Sequence, residues 1–271
     1  MVGFSRLYKI GMLALLLAVV MAAIDPPLAT VPLCLFMLLL LTAPFVHQLG
    51  LFFPVISRGQ ADKPLVALTF DDGPDPRSTP ALLRLLNGHR VQATFFTVGQ
   101  QAAKHPELIR SILAHGHSIG NHGYHHDALA AFKGARRVTH EIEKTQQVLA
   151  KMGARPLVFR PPVGITYPAL GAVLAKLNMT AVTFSCRAWD RGNRSIVHLS
   201  RRILKRVRPG DIIMLHDRFP PQGGDPAQWL DEVELILTGL GEKGLAVRPL
   251  AELIGRPVDH RSADEGRRHH P

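Results

Sequence analysis

Between Ile10 and Ile56 the chain carries one charged side chain, Asp25. A stretch this apolar cannot coat a soluble domain; it belongs in a large core or in lipid. Asp25-Pro26-Pro27 divides it into Ile10–Ile24 and Leu28–Val46. A membrane-crossing helix needs roughly 20 apolar residues. The second segment meets that length, and the first meets it when Leu7 and Tyr8 are included. A cleavable signal is the rival reading of the first segment, with Arg6 and Lys9 ahead of the apolar run and Met21-Ala22-Ala23 behind it. The second apolar segment follows at once, which favours a two-helix hairpin over a signal plus one anchor. Residues 1–57 are therefore expected to anchor the chain in a cell (inner) membrane as a multi-pass segment. Arg6 and Lys9 precede the hairpin and Arg58 and Lys63 follow it, so the positive-inside rule places both ends, and the rest of the chain, in the cytoplasm.

From residue 58 onward charge is spread throughout, and short apolar runs alternate with helical patterns. Strands are expected at Leu65–Phe70, Val91–Phe96, His117–Gly120, Leu157–Phe159, Thr180–Ser185, Asp211–Leu215 and Leu245–Val247. Thr79-Pro80 opens a helix that Gly88 ends, and further helices are expected at Pro106–Ala114 and Ala135–Met152. This alternation predicts an α/β domain, residues 58–255, with a mainly parallel sheet. Residues 256–271 are polar and are expected to form a disordered tail. Cys34 and Cys186 fall in different parts of the chain, so no disulfide framework is implied.

In parallel α/β domains chemistry collects at the C-terminal ends of strands, and five polar clusters fall there. Thr69-Phe70-Asp71-Asp72-Gly73-Pro74 sets two carboxylates side by side, an arrangement that needs a cation or a shared proton to offset repulsion. His122 and His126 are four residues apart, a spacing that can bring two imidazoles to one metal. With 14 histidines in the chain that pair is weak alone. Arg160-Pro161-Pro162-Val163-Gly164 follows a strand, and its prolines remove amide donors so that the next free N–H is at Val163. Phe184 to Asp190 and Ile212 to Asp217 place Asp190 and His216 at strand exits. Each cluster alone also fits a plain structural loop. Together they make up the ligand and acid–base inventory of metal-assisted hydrolysis.

From about Pro64 to Ile254 the order and spacing of these clusters resembles the polysaccharide deacetylase family, the NodB-homology domain of carbohydrate esterase family 4. The resemblance implies a distorted, incomplete (β/α) barrel. It implies a divalent metal, usually Zn2+, held by Asp72, His122 and His126. It implies Asp71 as general base oriented by Arg160, His216 as general acid tuned by Asp190, and the Val163 amide as oxyanion donor. Pro162, Trp189 and Leu215 are expected to line the substrate pocket. The implied reaction is removal of an N-acetyl or other N-acyl group from an amino sugar of a polysaccharide or lipid-linked glycan. O-acetyl ester hydrolysis uses the same machinery, and a non-catalytic glycan-binding module is the reading from a different class.

Four positions depart from the family pattern. Val163 and Arg191 stand where aromatic residues are usual, Arg187 replaces an acid, and His125 replaces a small hydroxyl residue. The metal and acid–base set is intact while the sugar-contacting set is altered. The net charge is +11, part of it in the run Arg201, Arg202, Lys205, Arg206 and Arg208. That run reads as a solvated helix face or as a contact for anionic headgroups. Nucleic acid is not an expected partner, since no basic–aromatic interleaving is visible.

Overall fold

The computed structural model describes residues 5–128, 133–221 and 225–260. Two helices, α1 (Arg6–Ile24) and α2 (Thr30–Thr42), lie side by side at the N-terminus, joined by a short 3-10 turn at Pro26–Ala29. The segments Arg6–Ile24 and Pro26–Phe45 are long and apolar enough to cross a membrane. Their outward residues, among them Leu13, Leu16, Val19, Leu35, Leu38 and Leu41, are exposed.

The remaining elements follow in chain order. They are β1 (Val55–Ile56), β2 (Leu65–Asp71), α3 (Ser78–Gly88), β3 (Thr94–Thr97), α4 (Gly99–Lys104), α5 (Pro106–Ala114), β4 (Ser118–Asn121), α6 (Gly134–Ala150) and β5 (Val158–Phe159). Then come α7 (Pro168–Lys176), β6 (Thr180–Val182), β7 (Cys186–Arg187), α8 (Leu199–Leu204), β8 (Ile212–His216), α9 (Pro226–Glu242), β9 (Ala246–Val247) and α10 (Leu250–Ile254). The strands lie in the order β1-β6-β5-β4-β3-β2-β8-β7, with β9 also paired to β2, and every strand pair is parallel. The sheet curls into a half-barrel, as the resemblance implied.

Alternation along β2 explains the architecture. Val66, Leu68 and Phe70 join the large cluster under helices α3, α5 and α9, with Leu82, Leu86, Ile109, Trp229 and Ile236. Ala67 belongs to the inner cluster with Phe96, Val158, Val182, Ile212 and Met214, closed by Leu250 and Leu253 of α10. Successive side chains of a strand point to opposite faces, so Thr69 and Asp71 follow Ala67 into the barrel.

Two boundaries differ from the sequence expectation. The sheet begins inside the segment assigned to the anchor: β1 pairs Val55 with Ala181 and Ile56 with Val182. Upstream of it, Phe53 packs so closely on α7 that a Cβ at Gly171 would meet its ring at 2.7 Å. The Pro44 carbonyl accepts from the Thr166 amide, and the His47 ring lies edge-on to Phe184 at 4.9 Å. Residues 43–56 are thus packed onto the domain. At the other end, Val258 is fully buried and its carbonyl accepts from Leu157 N–H, so the ordered domain runs past 255. Residues 261–271 of the expected tail lie outside the described residues. Cys34 and Cys186 are free thiols, as expected.

Candidate active site

The first functional group is built at the end of β2. Register pairs Asp71 with His216 on β8 and with Phe96 on β3, so base and acid candidates sit on adjacent strand ends. Asp71 is 4% exposed. Arg160, fully buried, donates from Nη1 to Asp71 Oδ1 at 2.6 Å and to Thr69 Oγ1 at 2.8 Å, and from Nη2 to the Thr183 carbonyl at 2.8 Å. The guanidinium also lies 3.8 Å above the Phe96 ring. A buried charge this fully paired fixes one carboxylate oxygen and leaves Oδ2 for chemistry.

Asp72 turns away from the strand with φ 74, a left-handed conformation. Gly73 follows, and a Cβ there would come within 2.4 Å of Asp217 Oδ2, so only glycine lets the turn close over that side chain. Asp217 is buried and accepts from Ser78 Oγ at 2.8 Å and Thr79 Oγ1 at 2.5 Å. Burial pushes its pKa up to about 7, and the two hydroxyls offset part of the rise.

Asp72, His122 and His126 each aim one donor atom at a common point, with all three atoms within 4.8 Å of one another. His126 Nε2 lies 3.2 Å and His122 Nε2 3.7 Å from Asp72 Oδ1. His122 Nδ1 lies 2.7 Å from the Arg160 carbonyl. A carbonyl only accepts, so Nδ1 carries the proton and Nε2 presents its lone pair. Burial holds the His122 pKa below its usual value, against the pull of Asp71, and keeps it neutral. Burial raises the Asp72 pKa, but His216, His122, His126 and Arg218 together outweigh it and hold it low. Asp72 Oδ1 is buried without a hydrogen-bond partner. Two imidazole lone pairs, an ionised carboxylate and an orphaned oxygen fit a divalent cation.

His216, at the end of β8, places Nδ1 2.8 Å from Asp190 Oδ2. Burial lowers the His216 pKa, but this hydrogen bond and the charges of Asp190, Asp72 and Asp71 dominate and raise it to about 9. Burial lifts the Asp190 pKa, and the His216 partner more than reverses that.

These groups open into a cleft of about 760 Å³ lined also by Val163, Phe184, Arg187, Trp189, Arg191, Arg194, Met214 and Arg218. Val163 adopts φ 51, unusual for a β-branched residue and a mark of a backbone held for a purpose. Trp189 is 60% exposed, with Arg187 stacked 3.3 Å from its ring centre. Two of the expected pocket residues are placed elsewhere. Leu215 is 1% exposed and faces the helices, because alternation along β8 turns Met214 and His216 to the cleft. Pro162 lines a smaller adjoining pocket with Phe159, Ile165 and Tyr167.

Two supports carried no signal of their own in the sequence. Asn193 donates its backbone N–H to Asp190 Oδ2 at 3.1 Å, and its Nδ2 to the carbonyls of His216 at 3.1 Å and Arg218 at 2.5 Å. Glu141 on α6 accepts from the amides of Tyr124 and His125 and bonds the His125 ring at 2.8 Å, which sets the loop between the two metal-site histidines.

Residues 58–193 match the model of the polysaccharide deacetylase family. A chitooligosaccharide deacetylase from Azorhizobium caulinodans is 34% identical over 68% of this chain and 92% of its own length. A peptidoglycan-N-acetylglucosamine deacetylase from Bacillus cereus is 31% identical over 70% of this chain and 88% of its own. The crystal structure of a peptidoglycan N-acetylglucosamine deacetylase with a bound N-hydroxybenzamide aligns with a TM-score of 0.69 and 32% identity, covering 75% of this chain and 94% of that one. With the fold, the cleft and the paired acid–base groups in place, the chain belongs to the polysaccharide deacetylase family and is a hydrolase of that type.

Proposed function

We propose that the protein is a membrane-anchored, zinc-dependent N-deacetylase acting on an amino-sugar glycan or lipid-linked sugar. One observation carries the reading: the Asp72–His122–His126 cluster lies between an arginine-fixed carboxylate, Asp71, and a histidine whose pKa is raised by its own aspartate. The printed activities of the relatives, on chitooligosaccharides and on peptidoglycan N-acetylglucosamine, point to the same bond.

Two nitrogen ligands and one oxygen ligand suit zinc. When bound, the cation supplies Lewis acidity toward the acyl oxygen and toward water. Asp71, paired with Arg160 through Oδ1, takes the proton of the attacking water through its free oxygen. The Val163 amide, presented by the left-handed turn, donates to the oxygen on which negative charge develops. His216 gives its proton to the departing nitrogen, and Asp190 holds the ring in place through Nδ1, leaving Nε2 toward the cleft. The products are acetate and a free amine.

The hairpin α1–α2 exposes apolar residues along both helices, a surface that calls for lipid. The charge rule places the catalytic domain in the cytoplasm.

The test is acetate release from N,N′,N″-triacetylchitotriose by the full-length protein in detergent. Chelation is expected to abolish release, and zinc to restore it. His126→Ala is expected to lose metal and activity together. Full activity in a metal-free preparation would overturn the reading.

A further inference from the structure

Four arginines line the active-site cleft: Arg187, Arg191, Arg194 and Arg218. The carboxylates lining it, among the described residues, are Asp71, Asp72 and Asp190. Each of these already has a partner or a task. Asp71 is paired with Arg160, Asp190 with His216, and Asp72 belongs to the cation site, with Arg218 only at 4.0 Å. The guanidinium charges are thus left without matching carboxylates in the cleft, beside a site that itself takes a cation.

The arginines are held in position by the catalytic frame. Arg191, Gly192 and Asn193 all adopt left-handed backbone angles, φ 54, 69 and 63. For Arg191 this is a strained conformation, while asparagine tolerates it. Asn193 ties the turn down, bonding Asp190 on one side and the carbonyls of His216 and Arg218 on the other. The turn therefore presents Arg191 and Arg194 at the mouth of the cleft directly beside the acid pair. Arg187 lies across Trp189, with its charge carried over the exposed ring.

A neutral glycan offers such groups only uncharged acceptors, its hydroxyl, ring and acetamido oxygens. The planar guanidinium fork matches the oxygens of a phosphate, with charge-assisted hydrogen bonds in pairs. A cleft of one sign also concentrates anionic ligands near it. We infer that the amino sugar deacylated in this cleft bears a phosphate or diphosphate group, gripped by Arg187, Arg191, Arg194 and Arg218. This inference rests on the deacetylase reading for the reaction and goes beyond it in naming the substrate class. Sugar diphosphates occur on lipids and on nucleotides; the shared chemistry is the phosphoryl group beside the sugar.

The experiment uses the full-length protein in neutral detergent. It compares kcat/KM for three N-acetylated substrates: polyprenyl-diphosphate N-acetylglucosamine, UDP-N-acetylglucosamine and uncharged triacetylchitotriose. At low salt the better phosphorylated substrate is expected to exceed the uncharged one by roughly 30-fold, the scale of one charge-assisted hydrogen bond. Added salt should shrink that ratio, and Arg191→Gln with Arg194→Gln should bring it close to one. The lipid or the nucleotide arm, whichever is faster, identifies the source. Equal turnover of the uncharged substrate, or a ratio that survives the double substitution, overturns the inference. Arg218→Gln, outside the turn, provides a second variant should the double change disturb folding. If no substrate releases acetate, the deacetylase reading fails instead, and binding decides the arginine site. UDP-glucosamine, which has no acyl group, is then titrated against the fluorescence of Trp189, the exposed one of the chain's two tryptophans. Saturable binding lost in the arginine variants upholds the phosphate site, and curves that coincide refute it.

Discussion

On the proposed mechanism, protonation of His216 limits the reaction on the alkaline side. Burial lowers its pKa, but the hydrogen bond to Asp190 and the neighbouring carboxylate charges raise it to about 9. A cation at Asp72 offsets the share contributed by Asp72 and Asp71 and leaves Asp190 as the main support. The imidazolium needed to protonate the amine is then present at neutral pH and is lost somewhere between 6.5 and 9. Asp190→Asn removes the charge, and the alkaline limb of kcat/KM should move down by roughly one to two pH units, with metal content unchanged. A limb that stays in place would break the Asp190–His216 coupling. The same raised pKa has a consequence for folding. Its stabilising share is complete below about 6.5 and fades as pH rises through about 9. The residues of this network were legible in the sequence because carboxylates and imidazoles at strand exits have few other reasons to cluster. Leu215 was misplaced for a reason equally plain: once His216 faces the cleft, strand alternation turns Met214 toward it and Leu215 away. Asn193 and Glu141 act through contacts between elements distant in sequence, and no local pattern marks them.

At the scale of elements, the segment leaving α2 matters most. Residues 43–56 supply an edge strand, the Phe53 ring on α7 and the His47 contact with Phe184. Nothing in the sequence separates β1 from the apolar run before it, because two residues are too few to show alternation. The consequence is measurable by truncation. Removing residues 1–42 should leave a folded domain. Removing 1–57 strips β1 and Phe53 as well. Phe53 is partly buried, so its lost burial alone is about 1–2 kcal/mol, which corresponds to a fall in Tm of roughly 2–8 °C for a domain of this size. Equal Tm values for the two truncations would show that residues 43–56 are a passive tether. Strands β2 to β6, β8 and β9 and helices α3, α5 and α6 were readable to within a few residues, because buried parallel strands are continuous apolar runs and α3 and α5 carry prolines in their first turns, whereas β7, α4, α7, α8, α9 and α10 were not anticipated.

For the molecule as a whole, the structure combines a hairpin of two apolar helices, a curled parallel sheet and an arginine-lined cleft that holds two adjacent aspartates. Asp71 and Asp72 are neighbours in the chain, yet the left-handed turn at Asp72 sends them to different tasks, one to Arg160 and one to the two histidines. That division is the central claim, and paired substitutions test it most directly. Metal content and acetate release are measured together on full-length Asp71→Asn and Asp72→Asn proteins, across pH. Asp71→Asn should keep its metal and lose at least about 100-fold in rate at every pH, the scale of a removed general base. Asp72→Asn should lose metal and rate together. Loss of metal from Asp71→Asn, or retention of metal by Asp72→Asn, would contradict the account.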